Sequence, residues 1–211
     1  TMRFVIDSKL IDLKNPEKSP LLLKPLGTVE HKGGKKFLPG DLGYKAFRGW
    51  IDDYVRIVKD QYPTVASLPK STDDSEHYSS GIWLKITNTP APWIDRLLAA
   101  EVYAWDADKK AWESTPVAVS DRLVNNARLW QHTLTLIAAK DSPRREAWAK
   151  GPAALPSGKY LIKLYVDGKG KLARDWKASL GPAEYVGQVE TDAAWKTGYG
   201  SMTAIDGAAV K

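Results

Sequence analysis

Tyr160-Leu161-Ile162-Lys163-Leu164-Tyr165-Val166 decides the fold class. Tyr160, Ile162, Leu164 and Val166 fall on one side of an extended chain, and Leu161, Lys163 and Tyr165 on the other, because strand side chains alternate with a period of two. The first set is apolar throughout and the second is mixed, so this stretch predicts a strand with a buried and an outer face. The same period appears upstream. In Leu129–Ala138, Trp130, Leu134 and Leu136 share a face with His132, while Gln131, Thr133 and Thr135 take the other. Ile82–Thr87 reads as a first strand. Glu101–Trp105 and Ala111–Glu113 flank Asp106-Ala107-Asp108-Lys109-Lys110, a hairpin turn. Downstream, Asp167–Gly170 turns the chain into expected strands at Leu172–Lys177 and Glu184–Glu190.

Before residue 66 the period is helical. Tyr44, Phe47, Ile51, Tyr54, Val55 and Val58 recur at three- and four-residue steps behind Asp41, a side chain that accepts from the free amides of a first turn. This predicts an amphipathic helix ending before Pro63. Asn15-Pro16-Glu17 reads as a second, short helix start, kept broken by Pro20 and Pro25, and Arg3–Ile6 reads as strand-like. Gly27 to Gly40 is a loop. Residues 66–80 are dominated by Ser, Asp and Pro and read as a linker. The expected fold is therefore mainly β: an antiparallel immunoglobulin-like β-sandwich over 81–200 behind a helical segment over 1–65, with a tail over 201–211.

The 211 residues are 43% hydrophobic and 27% charged, the balance of a folded globular chain. The net charge of +6 is spread, +2 over residues 1–79 and +4 over 80–211. A nucleic-acid binder concentrates its basic residues, and the densest run here is only Lys32, Lys35 and Lys36, so no nucleic-acid partner is expected. The absence of cysteine excludes disulfides, thiolate metal sites, a Cys nucleophile and covalently attached haem within these residues. No apolar run approaches the roughly 20 residues that span a bilayer. Thr1-Met2-Arg3 lacks a signal-peptide layout, so the chain reads as a mature form or a fragment.

No catalytic constellation stands out. His132 reads as a half-buried, hydrogen-bonded imidazole. His77 lies with Asp73, Asp74 and Glu76, a cluster that reads as solvated, and no metal site is expected. Asp106 and Asp108 suit turn geometry. Nine Trp and nine Tyr make the chain aromatic-rich. Trp83, Trp105, Trp112, Trp130, Trp176 and Trp195 fall in or beside the expected sandwich, where some belong to the core and exposed ones could hold a sugar or a protein.

Asn15–Pro25, then Glu30-His31-Lys32-Gly33-Gly34-Lys35-Lys36-Phe37, Pro39-Gly40-Asp41 and Trp50-Ile51 resemble the distal half of planctomycete-type c-type cytochrome domains. Leu155–Tyr160 resembles the entry to a strand of immunoglobulin-like modules, and Gly158-Lys159-Tyr160 through Asp175-Trp176-Lys177, then Tyr185–Val189 and Trp195–Gly200, resemble the sandwich modules that follow such domains. The haem-attaching Cys-x-x-Cys-His is missing. The resemblance implies an exported, periplasmic setting, with His31 as candidate distal ligand of a haem c carried upstream or on a partner. The expected function is a non-catalytic accessory module binding a haem-bearing protein or a larger exported redox complex. Two other readings stand beside it: a carbohydrate-binding module using exposed aromatics, and a haem-dependent electron-transfer protein ligating through His31.

Overall fold

The computed structural model describes residues 2–30, 32–68 and 74–211. Helices are α1 (Met2–Asp7), α2 (Pro20–Leu26), α3 (Leu42–Val58), α4 (Pro143–Lys150) and α5 (Lys171–Arg174). Strands are β1 (Glu76–Thr87), β2 (Leu97–Asp106), β3 (Ala111–Trp112), β4 (Ala118–Leu123), β5 (Trp130–Ala138), β6 (Gly158–Val166), β7 (Tyr185–Ala193) and β8 (Thr203–Asp206). They divide into two compact units, Thr1–Ser71 with Lys171–Ala178, and Thr72–Gly170 with Ser179–Lys211.

The first unit is helical. Asp41 starts α3 as expected: one carboxylate oxygen accepts from the Tyr44 amide at 2.6 Å and the other from the Leu38 amide at 2.6 Å. Of the expected apolar stripe, Tyr44, Ile51 and Val55 are buried with Ile11 and Leu22, whereas Phe47 and Val58 remain exposed. So small a unit has too little chain to cover the whole face. Arg3–Ile6, expected as extended, lies in helix α1. With no strand among the described residues of this unit to pair with, a helix satisfies those backbone groups internally. The expected strand at Leu172–Lys177 is also corrected, to α5 and the coil after it. That segment belongs to the helical core instead. Trp176 packs edge-on to Tyr44 at 5.8 Å, and Leu172 crosses Gly40 so closely that a Cβ there would lie 2.6 Å from it.

The second unit is mainly β, as the alternating stretches require. Hydrogen bonds order its strands β7-β6-β2-β4-β5-β1-β8, with β3 pairing the far end of β2. One ladder departs from the all-antiparallel pairing expected: β8 runs parallel to β1. Ile86 of β1, Ile162 of β6 and Ile205 of β8 share a single buried cluster although β6 and β8 stand far apart in the strand order. The sheet therefore curls around one core and is nearly barrel-shaped. Tyr160, Ile162, Leu164 and Val166 point into it as expected. β1 begins at Glu76, so residues 76–80 of the stretch read as linker are extended, and 76–79 pair with β5. β8 lies in the stretch read as a tail.

Residues 203–211 touch both edges of the sheet. β8 pairs with β1, and Gln188 of β7 exchanges two backbone hydrogen bonds with Lys211, at 2.8 Å from its amide and 3.1 Å to its carbonyl. Beside that pair, the β6–β7 register shifts so that Leu164 faces Gly187 while Tyr165 faces Tyr185, leaving Val186 as an extra, bulged residue. Gly187 carries the bulge at φ +139, where a Cβ would lie 2.7 Å from both the Lys211 carbonyl oxygen and the Val210 side chain.

Gly187→Ala is expected to lower stability by about 2 kcal/mol in urea denaturation. Gly168→Ala, with nothing within 4 Å of the added carbon, is the control and stays within about 0.5 kcal/mol of the parent. Equal midpoints for the two variants would contradict the close approach at Gly187.

Candidate functional site

The structure scatters the residues that chemistry would single out. His31, the candidate haem ligand, lies outside the described residues. His77 is exposed near the start of β1, its Nε2 3.1 Å from the Ser75 hydroxyl. Among the described residues no group of three His, Asp or Glu is gathered to hold a metal. Asp106 serves the β2–β3 turn, accepting from the Asp108 and Lys109 amides at 3.1 and 3.0 Å and pairing with the Lys109 ammonium at 2.8 Å.

His132 is built into the sheet. β4 and β5 share only two registered pairs, Ala118↔Leu136 and Val119↔Thr135, and side chains take over where the ladder stops. The Trp130 indole N–H donates to the carbonyls of Leu98 and Arg122, 3.1 Å from each, so this fully buried ring bonds to β2 and β4. The Ser120 hydroxyl donates to the Thr133 carbonyl at 2.8 Å, which uses its single proton. Its oxygen, 3.0 Å from His132 Nδ1, therefore accepts from an Nδ1–H imidazole. A serine nucleophile needs the opposite polarity, with histidine taking the hydroxyl proton. Burial, and secondarily the nearby Arg122 charge, press the His132 pKa down to about 4.

The residues that do converge were not singled out from the sequence. They lie on the outer face of β2, β6 and β7, in three rows fixed by the strand register. Ala99, Tyr165 and Tyr185 form one row; Glu101, Lys163 and Gln188 the next; Tyr103, Leu161 and Glu190 the third. Glu101 Oε2 accepts from the hydroxyls of both Tyr103, at 2.6 Å, and Tyr165, at 3.0 Å. Burial first, then the Glu101 carboxylate, push the Tyr165 pKa up to about 12, and the same causes raise that of Tyr103. Both phenols stay protonated and hold the carboxylate turned along the sheet. Lys163, directly opposite Glu101, instead lays its ammonium over the Tyr103 ring, 4.5 Å from the centre. Tyr165 and Tyr185 meet at 5.7 Å with their planes 64° apart. Against them Leu180 and Pro182 complete a notch of about 280 Å³, with Lys163 and Gln188 as its polar residues.

The Val186 bulge makes this face. Gln188 points outward, so in an unbroken strand Tyr185, three residues earlier, would point into the core. The extra residue restores it to the outer side, level with Tyr165. The available signal was Gly187 between strand-forming residues, which can mark a bulge, beside the Lys163–Tyr165 outward set.

No protein-family model and no curated protein sequence matches this chain. Among the described residues no helix is long and apolar enough to cross a membrane.

Because His132 titrates near 6.5 when unfolded and near 4 when folded, the unfolded chain takes up its proton first as pH falls. Its contribution is intact above pH 6.5 and is lost between 6.5 and 4, by about 2 kcal/mol once solvent screening of this part-exposed ring is allowed for. Urea titrations across that window should show a shallower loss in His132→Asn than in the parent. Parallel losses would contradict the assignment.

Proposed function

We propose that this chain is a non-catalytic binding module whose second unit holds a partner polypeptide on the tyrosine-bearing outer face of β2, β6 and β7. The observation that carries the reading is the bulge at Val186. It turns Tyr185, 41% exposed, out of the core and into a notch with Tyr165, Lys163 and Gln188. A strand interrupted at a cost to its own ladder, so that a tyrosine faces solvent, fits a surface meant for contact, since tyrosine is a preferred anchor in interfaces. The polarity of the Ser120–His132 pair and the turn role of Asp106 support a non-catalytic role.

The setting, an accessory part of an exported, periplasmic cytochrome-type protein or complex, rests on the resemblance of residues 12–57 and makes the partner a haem-bearing one. The kinship of the second unit to immunoglobulin-like modules belongs to the same reading and rests on the Leu155–Tyr160 entry into β6. Haem binding through His31 itself would instead give the isolated chain a pyridine haemochrome spectrum.

A carbohydrate-binding reading draws on the same exposed Tyr185. The 64° angle between Tyr165 and Tyr185 forms a crossed slot rather than the level platform on which a sugar ring lies, and this favours a side-chain ligand.

Immobilised chain is expected to retain a polypeptide with a pyridine haemochrome spectrum from native extract of its source, and Tyr185→Ala to reduce the retained haem about tenfold, the effect of losing one interface anchor. Equal haem retention by both chains, or none by the parent, would overturn the proposal; strong hits on a glycan array with no haem retained would favour the carbohydrate reading.

A further inference from the structure

The notch is selective in size, shape and charge. At about 280 Å³ it lies at the small end of ligand sites, enough for one ring-sized side chain with its backbone and too small to enclose a haem. Its walls are two crossed tyrosine rings facing Pro182 and Leu180, which suit an apolar ring. Its polar residues are a cation and an amide. Among the described residues no carboxylate lies within ion-pair distance of Lys163, and Glu101 across the ladder is engaged by two tyrosine hydroxyls. Gln188 is bonded through its backbone to Lys211, and its side-chain amide has no partner among the described residues.

An extended backbone passing over such a slot places alternate residues toward it, the arrangement by which aromatic-lined grooves take proline-bearing segments. Proline loses little conformational freedom on binding, because its φ is already fixed. A carboxylate two residues from that proline would reach Lys163, and a backbone carbonyl between them would accept from the Gln188 amide. Resting on the reading that this face binds a polypeptide, we propose that the notch receives an extended, proline-bearing acidic segment: the proline ring between Tyr165, Tyr185 and Pro182, and a carboxylate two residues away on Lys163.

The test is an amide-shift titration of the whole chain with an acetylated, amidated peptide, Ala-Asp-Leu-Pro-Leu-Asp-Ala, which sets an Asp two residues from the proline on either side, and its counterpart with both Asp replaced by Asn. The acidic peptide should move the amides of 163–165 and 182–188 and bind about fivefold more tightly than the Asn peptide, the worth of one partly exposed ion pair. Lys163→Gln should erase that difference, and Tyr185→Ala should abolish binding of both peptides, while Leu134, buried in β5 away from this face, keeps its amide position in each variant. Equal affinity for the two peptides in the parent chain, or shifts confined to other strands, would overturn the proposal. If neither peptide binds but Tyr185→Ala still loses the haem-bearing partner, the segment chemistry fails and the binding face stands. If Tyr185→Ala keeps that partner as well, both fail.

Discussion

The approach of Val210 and Lys211 to Gly187 is the constraint on which the sheet and its candidate site both depend. At that one residue the backbone takes a conformation that side chains resist, and β7 gains an extra residue. The unpaired edge beside it is bonded by Lys211. Without the bulge, Tyr185 would belong to the interior. Without the edge bonds, each a net contribution of about 1 kcal/mol, β7 would leave a row of open amides and carbonyls. Residues 203–211 do this while pairing with β1 at the other edge, so the final stretch holds the curl of the sheet around its core.

The outer face is ordered by charges that are mostly spoken for. Glu101 binds two tyrosine hydroxyls through one oxygen, and that fixes both rings on β2 and β6. Lys163 lies on one of those rings rather than on the carboxylate opposite. The result is an aromatic surface with Lys163 at its notch. Two further ion pairs of this unit hold α4 in place. Arg144 grips Glu113 with two bonds, at 2.7 and 3.1 Å, Arg145 pairs with Glu76, and Trp148 packs edge-on to Tyr78.

Strand alternation made the inner faces of β5 and β6 readable, because a period of two over seven or more residues is hard to mistake. α3 was readable from Asp41 and its stripe. Shorter elements escaped. β4, Ala118-Val119-Ser120-Asp121-Arg122-Leu123, alternates weakly because Ser120 occupies an inward place, where its hydroxyl bonds to the Thr133 carbonyl and the His132 ring. α4 has a start signal in its sequence, Ser142 before Pro143, and the Ser142 hydroxyl accepts from the Arg145 amide at 3.3 Å. Leu172–Lys177 alternates like a strand but meets no sheet edge among the described residues of its unit, so tertiary context overrode the local pattern. The tyrosine face was invisible for a different reason. It needs three strands in register, which residues far apart in the chain do not reveal, and Gly187 alone can mark a bulge without saying which side chain it turns outward.

The central claim is that Lys211 completes the edge of β7 and so fixes the bulge behind the tyrosine face. Its most direct test is the scalar coupling transmitted through the hydrogen bond itself, from the Gln188 amide nitrogen to the Lys211 carbonyl carbon, read in a long-range triple-resonance spectrum of the labelled protein. The account predicts that cross-peak, together with slow exchange of the Gln188 amide. A missing cross-peak with a rapidly exchanging Gln188 amide, while the β2–β6 amides stay protected, would contradict it.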